Sequence, residues 1–448
     1  MPSLELNVYL LTANCARELV DPSTLGVSFF NALPRSSPLP DVVAVSLQEI
    51  APIAQSFLGG SYLIPYYSRI EESIRSAVLH HGSDKKFDLL HQSNVGMTAL
   101  LVFVSQEFVD RVIWLESSVV GVGLWEMGNK GAAALRVGFD AGPEGEEASL
   151  TFIAAHLTHM ESAVQRRNKD WESIVRNLVF TPQTAISKAK QQRAGERQPE
   201  AEQLLDTAAK PRPTGQQTRL YTATSPVFFF GDLNYRTRDR SPAPNDYLNY
   251  PQPVDDVSDP RHISQWLSLD QLNRERKANR TLHEFQETQI TFAPTYKYAS
   301  PYEQAHETIR TGSEPQTWHW SKHRVPSWCD RILYWTPKPV SGTEPSASGY
   351  TVTSKRYDSL PIQPHSDHRP VALSAHVSLT PHLSSQLVNY DGAPFPLNPD
   401  WATVRAAARR REVVVGAGAW GIFTNEGRLC VLLPIVLALL GWIVLSRE

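Results

Sequence analysis

Asp232 and Asn234, separated only by Leu233, follow directly on the apolar run 227–230. A strand there delivers a carboxylate and an amide to its end, where loops build sites. Such a pair can orient water and take a proton from it, and the same spacing also occurs in simple turns. His365-Ser366-Asp367-His368 stands just before the apolar run 371–377. Asp367 could hold a metal while His368 donates a hydrogen bond to phosphate, or the four could form an ordinary polar loop. Glu49 closes the run 42–47 and presents a hard oxygen ligand suited to magnesium. Asn14 ends the run 6–12 in the same way, and His156 follows 150–155. Taken singly, each of these three equally describes a solvated strand end or a satisfied structural group. Positive charge comes from Tyr296-Lys297 and from Lys322-His323-Arg324, which leads through Trp328 to Asp330 and Arg331. Lysine and arginine interleaved with aromatics suit phosphate binding, or a solvated basic loop.

These residues act together only if the strand ends converge. Besides the runs already named, 98–104, 132–137 and 331–335 are short, apolar and bounded by turn residues, as buried strands are. The pattern over 161–180 is helical. The expected architecture is α/β, two packed sheets flanked by helices, in one catalytic domain over 1–379. With 41% hydrophobic and 20% charged residues in a chain of 448, there is material for a large core, and global disorder is excluded. A formal net charge of −3 gives no general attraction for nucleic acid, so an anionic substrate needs a local basic pocket. Cys15, Cys329 and Cys430 lack the paired spacings of zinc sites or disulfide frameworks, which points to a reducing compartment. The first residues lack the basic start, apolar stretch and cleavage site of a secretory signal, so synthesis in the cytosol is expected.

Three segments read as appendages. The stretch 182–226 is rich in Gln, Ala, Lys, Arg, Glu and Pro, and is expected to be a flexible insertion. Residues 380–428 read as a linker. The uncharged apolar run 429–445 reaches the lower length for a membrane span, with Ser446, Arg447 and Glu448 beyond it and Arg405, Arg409, Arg410 and Arg411 before it. The expectation is a single-pass transmembrane tail anchor with the catalytic domain in the cytosol, the endoplasmic reticulum being the candidate organelle. A buried core helix is the alternative.

The runs 324–333 and 228–236 resemble the two signature segments of the inositol polyphosphate 5-phosphatases. Gln48-Glu49, Met127-Gly128-Asn129-Lys130-Gly131, His156-Leu157 followed by Arg167-Asn168, and Ser366-Asp367-His368 are similar to further motifs of that family. They occur in its order between residues 4 and 377. The resemblance implies a four-layer αββα sandwich of two mixed β-sheets flanked by helices, the fold of the endonuclease/exonuclease/phosphatase superfamily. The chain departs from the family's pattern at Ala13 and Ala16, which replace a usual Trp and Asn, at Met160, where a second His is usual, and at Phe229, in place of Trp.

The expected chemistry is magnesium-dependent hydrolysis of the 5-phosphate of phosphoinositides such as phosphatidylinositol 4,5-bisphosphate at a cytosolic membrane face. Glu49, Asn14 and Asp367 are the expected Mg2+ ligands. Asp232 is assigned to the attacking water, Asn234 to that water and a phosphate oxygen, and His368 and His156 to the phosphoryl oxygens, with Asp330 orienting His368. By resemblance Tyr296, Lys297 and Lys322 grip the neighbouring 4-phosphate, and Arg324 is counted with the substrate contacts. The expected partners are a phosphoinositide lipid and a membrane, without nucleic acid. Competing readings are a nuclease of the same superfamily, a sphingomyelinase-like phosphodiesterase and a phosphoinositide-binding scaffold of weak activity.

Overall fold

A strand covered on both faces needs apolar side chains at successive positions, because neighbours point to opposite sides. The structure, a computed structural model, describes residues 3–143, 145–183, 218–311, 313–338, 349–383, 390 and 392–445. Its first sheet runs in the order β11 (Thr351–Ser359), β12 (Val371–Leu379), β1 (Leu4–Asn14), β2 (Val42–Gln48), β4 (Thr98–Ser105) and β3 (Phe87–Val95). The second runs β10 (Asp330–Trp335), β9 (Val227–Asp232), β7 (Glu146–His156), β6 (Gly131–Asp140), β5 (Val112–Gly121) and β8 (Thr181–Pro182), with β13 (His382–Leu383) attached to β7. Each sheet is mixed, with a parallel pair, β1 with β2 in the first and β7 with β9 in the second.

Alternation sorts the apolar residues into three cores. Leu6, Val8 and Leu10 of β1 meet Phe152, Ala154, Phe228 and Phe230 of the second sheet between the sheets. Tyr9 and Leu11 face the other way, onto Leu25 and Phe29 around α1 (Pro22–Ser28) and Ile70 and Ile74 of α3 (Ile64–His80). Behind the second sheet, Ile153, Ala155 and Phe229 pack on Trp171, Ile174 and Val175 of α4 (Val164–Asn177). Each such buried side chain contributes about 1.5–3 kcal/mol of transfer free energy. The result is helix, sheet, sheet, helix, as expected, and α4 occupies the predicted 161–180 pattern. A short helix, α2 (Ile53–Leu58), follows β2.

The stretch expected to be a linker departs from that expectation, and most of the expected insertion lies outside the described residues. Residues 184–217 of the 182–226 stretch lie outside the described residues, while Leu220 and Tyr221 near its end are buried in the core behind the second sheet. The stretch expected to be a linker is helical over Trp401–Phe423, and Ala408, Glu412 and Gly416 of that helix are buried. A membrane-spanning helix over 429–445 is not supported: among the described residues no helix is long and apolar enough to cross a membrane. The helix Asn425–Leu445 begins with Asn425, Glu426 and Arg428, and the side chains at 431, 435, 437, 440, 441 and 443–445 lie outside the described set. Ser446, Arg447 and Glu448 lie outside the described residues.

Candidate active site

The inner-facing positions that build the core between the sheets turn polar at one end of the sandwich. On β1 the series Leu6, Val8, Leu10 continues as Thr12 and Asn14, and on β2 Val42 and Ala44 give way to Ser46 and Gln48. These polar groups satisfy one another. Thr12 Oγ1 donates to Gln48 Oε1 (3.1 Å), Gln48 Nε2 to Ser46 Oγ (2.7 Å), and Ser46 Oγ to the Phe230 carbonyl of the opposite sheet (3.0 Å). They form a hydrogen-bonded floor, and the candidate site lies on it.

Register brings the second sheet's residues into one row. His156 is the parallel neighbour of Asp232, and Asp330 is the antiparallel neighbour of Asp232 on its other side. Three strands thus place His156, Asp232 and Asp330 side by side, each no more than 2% exposed. Gly231 permits the close packing, since a Cβ there would lie 1.8 Å from the Ala155 carbonyl oxygen. His368 enters from the segment before β12, and Glu49 from a left-handed turn after β2, at φ 46°. They converge on an open cavity of about 900 Å³, whose wall includes Asn14, Glu49, Lys130, His156, Asp232, Asn234, Tyr296, Lys297, Asp367 and His368.

Two histidines in this cavity take opposite charge states. His368 Nδ1 meets Asp330 Oδ2 at 2.8 Å, and Thr295 Oγ1 donates to the same oxygen at 2.7 Å. Burial works against an imidazolium, but the charges of Asp330 and Asp232 outweigh it and push the His368 pKa up to about 9. For His156, burial and then the charge of Lys130 both lower the pKa, so its imidazole is neutral at neutral pH. Lys130 Nζ contacts the His156 ring directly.

Asp232 accepts from Asn14 Nδ2 (3.2 Å) and from the Asn234 backbone N–H (3.1 Å), and its Oδ2 lies 3.3 Å from His156 Nε2. Burial opposes ionisation here too, yet the His156 hydrogen bond and the charges of His368 and Lys130 hold the carboxyl well below its usual range. Asn234, at φ 56°, donates from Nδ2 to the Leu157 carbonyl (3.0 Å), and Arg236 donates to its side-chain and backbone oxygens.

The donor chemistry fits a divalent cation. Ligand atoms of Asp232, Asp330 and His368 lie within 4.8 Å of one another, although Asp330 Oδ2 and His368 Nδ1 are engaged with each other. Glu49, Asp367 and Asn14 line the cavity with oxygens, the donors a hard ion takes. Glu49 Oε2 is held by Arg17 Nε at 2.9 Å, Asp367 by Lys297 Nζ, and Asn14 Oδ1 by the Ala16 N–H at 3.0 Å.

Of the twelve residues singled out from the sequence, ten stand at this cavity or in its hydrogen bonds. The other two are elsewhere: Lys322 lies over the Tyr247 ring at 4.4 Å, and Arg324 lies 3.6 Å from Glu161. Sequence reasoning assigned no role to Lys130, Arg236, Arg17 or Thr295. Lys130 was within reach, since it belongs to the 127–131 motif, but a lysine in a loop carries no sign of what it faces.

Residues 11–374 match the family described as endonuclease/exonuclease/phosphatase family 2. A probable inositol polyphosphate 5-phosphatase of Schizosaccharomyces pombe is 29% identical over 377 residues, which are 80% of this chain and 27% of that protein. A polyphosphatidylinositol phosphatase of Saccharomyces cerevisiae is 26% identical over 350 residues, 76% of this chain and 24% of that protein. The chain thus spans about a quarter of the length of these curated relatives. Among solved structures, the inositol polyphosphate 5-phosphatase domain of SPsynaptojanin, in complex with inositol (1,4)-bisphosphate and calcium ion, superposes with a TM-score of 0.55 at 20% identity, covering 93% of this chain and 94% of that one. That likeness is one of fold. Because the family match runs from β1 to β12 and so takes in both sheets and every strand end that builds the cavity, the chain belongs to the endonuclease/exonuclease/phosphatase family 2.

Proposed function

We propose that the chain is a magnesium-dependent phosphatase that removes the 5-phosphate of phosphoinositides such as phosphatidylinositol 4,5-bisphosphate. One observation carries the reading: the row His156, Asp232, Asp330, with His368 across it, opens onto a cavity that also holds Glu49, Asp367 and two lysines. The names of the curated relatives support it. In phosphate monoester hydrolysis, water adds to phosphorus as the bond to the ring oxygen breaks, so a site must aim the water and neutralise charge. Asp232, ionised at neutral pH, accepts the water's hydrogen bond and takes its proton as the new P–O bond forms. Asn234 orients that carboxylate through its backbone N–H, and its side-chain amide, which donates to the Leu157 carbonyl and accepts from Arg236, keeps a second N–H for the water or a phosphate oxygen. The His368 imidazolium, fixed through Nδ1 by Asp330, donates from Nε2 to a phosphoryl oxygen. Neutral His156 and the adjacent Lys130 supply further donors. Glu49, Asn14 and Asp367 would hold magnesium, which when bound neutralises charge on the scissile phosphate and the leaving oxygen. Tyr296 and Lys297 carry the contact to a neighbouring 4-phosphate, and Lys322 and Arg324 would meet a substrate only beyond the cavity wall.

The membrane face, with the catalytic domain in the cytosol and the endoplasmic reticulum as candidate organelle, is also part of the proposal and rests on the apolar sequence run 429–445. The deciding assay follows phosphate release, with magnesium and with chelator, from short-chain phosphoinositides, soluble inositol phosphates, nicked DNA and sphingomyelin. Magnesium-dependent release from 5-phosphorylated inositides is the expected result; cleavage of DNA or sphingomyelin instead would replace the reading with a superfamily nuclease or phosphodiesterase. Placement is read by alkaline carbonate extraction, where a protein that washes off membranes refutes the anchor.

A further inference from the structure

Beyond the family match, the helix Trp401–Phe423 lies against the loops that carry two parts of the site. Glu412 on this helix is fully buried, and its Oε1 accepts the backbone N–H of Gly128 at 2.9 Å. The carboxylate is compensated where it sits: Arg405 donates to both its oxygens at 2.8 and 3.2 Å, and Arg409 lies 3.4 Å from Oε2. A buried carboxylate held by two guanidiniums and spending one oxygen on a loop amide is a costly arrangement unless it fixes that amide.

The Gly128 peptide stands at a junction. On its other side the Gly128 carbonyl accepts from Met97 N (2.9 Å), and the Met97 carbonyl accepts from Ile50 N (3.3 Å), next to Glu49. A Cβ at Gly128 would lie 2.6 Å from Gly96 N, so the loop is pressed onto that strand connection. Two residues on, Lys130 reaches His156. Arg409 meanwhile donates to the carbonyls of Phe57 and Leu58 at the end of α2, and Arg411 donates to the Trp125 carbonyl at 3.0 Å. The same helix ends at Phe423, which with Thr424 forms part of the cavity wall.

We propose that Glu412 is a positioning residue: through the Gly128 amide it holds the 127–130 loop, and with it Lys130 against His156, in working geometry. The catalytic unit therefore extends to the helix Trp401–Phe423. This inference rests on the proposed phosphatase reading for its effect on turnover, but not for its effect on the loop. In the full chain, assayed on soluble short-chain phosphatidylinositol 4,5-bisphosphate at a temperature where near-ultraviolet circular dichroism shows every variant folded, Glu412→Ala should lower kcat about ten- to a hundredfold, with a much smaller change in KM. Glu412→Gln keeps an acceptor oxygen for Gly128 and should restore most of that loss. Hydrogen exchange of the Gly128, Met97 and Ile50 amides should quicken in the alanine variant and return in the glutamine variant. A helix that merely adds stability predicts a lower melting temperature in both variants, with wild-type kcat per folded molecule and unchanged exchange at those amides. That result overturns the proposal. If the wild type releases no phosphate from any inositide, the phosphatase reading fails, and the exchange pattern alone decides whether Glu412 braces the loop.

Discussion

Asp330 and Arg331 are adjacent in the chain and open the same strand, yet they serve two different charge clusters on opposite faces of the second sheet. Asp330 points toward the cavity, with His368 and Thr295. Arg331 points away from it, toward the side where Leu333 and Trp335 are buried, and each of its nitrogens meets an oxygen: Nε and Nη2 reach Glu287 at 2.6 Å, and Nη1 reaches Asp270 at 3.0 Å. Both clusters are buried and charged. The Arg331 cluster spends its donors within the fold, whereas the Asp330 cluster adjoins carboxylates and cations that face a cavity. Buried charge is therefore not itself a sign of function; what matters is whether its hydrogen-bonding capacity is closed or opens to a ligand.

The comparison predicts opposite phenotypes for neighbouring clusters. Asp232→Ala should lower turnover by several powers of ten while the folded state persists; phosphate release and circular dichroism read the two halves, and an unfolded variant would make the site a structural cluster after all. Arg331→Met should do the reverse. Leaving Asp270 without its cation and Glu287 with Arg276 alone costs about 3–5 kcal/mol, to be seen as a lower urea midpoint, with kcat per folded molecule close to wild type. An unchanged midpoint would break the comparison from the other side.

His368 sharpens it through pH. Its folded-state pKa of about 9 lies above the ordinary 6.5. A raised histidine pKa contributes stability that is complete below about pH 6.5 and is lost as pH rises through about 9, here on the order of 3 kcal/mol. In chelator, the melting temperature of the wild type should exceed that of His368→Gln at pH 6 and approach it at pH 10. A constant difference would mean that Asp330 does not hold a proton on His368. The smallest expected effect concerns Lys297. Lys297→Ala should weaken turnover of the 4,5-bisphosphorylated lipid about tenfold more than that of a 5-monophosphate, since only the former loses a charge-assisted contact. Equal losses would confine Lys297 to its pairing with Asp367.

The strands legible in the sequence were those covered on both faces. β2 and β4, buried at every position, read as unbroken apolar runs, whereas β3 and β11 lie at sheet edges and mix polar with apolar residues. β5, flanked outward only by the two-residue β8, went unread for the same reason. At the site, Asp232, His156 and Asp330 were visible because each sits at an end of an apolar run. Their being side by side was not, since register depends on pairings between distant segments. The docking of the helix Trp401–Phe423 was also hidden: Glu412 among arginines looks like a solvated charge run, and only the fold brings Gly128 to it.

The pairing of β1 with β12 bears on how the protein comes into being. Leu4 lies opposite Leu379, and β1 occupies the interior of its sheet, between β12 and β2. On the ribosome β1 emerges before β12 and must wait for this antiparallel partner while the intervening chain is made, on the order of a minute at typical synthesis rates. During that interval an apolar strand has one edge open, a state that favours misassociation. The sheet therefore closes late, once β12 is in place.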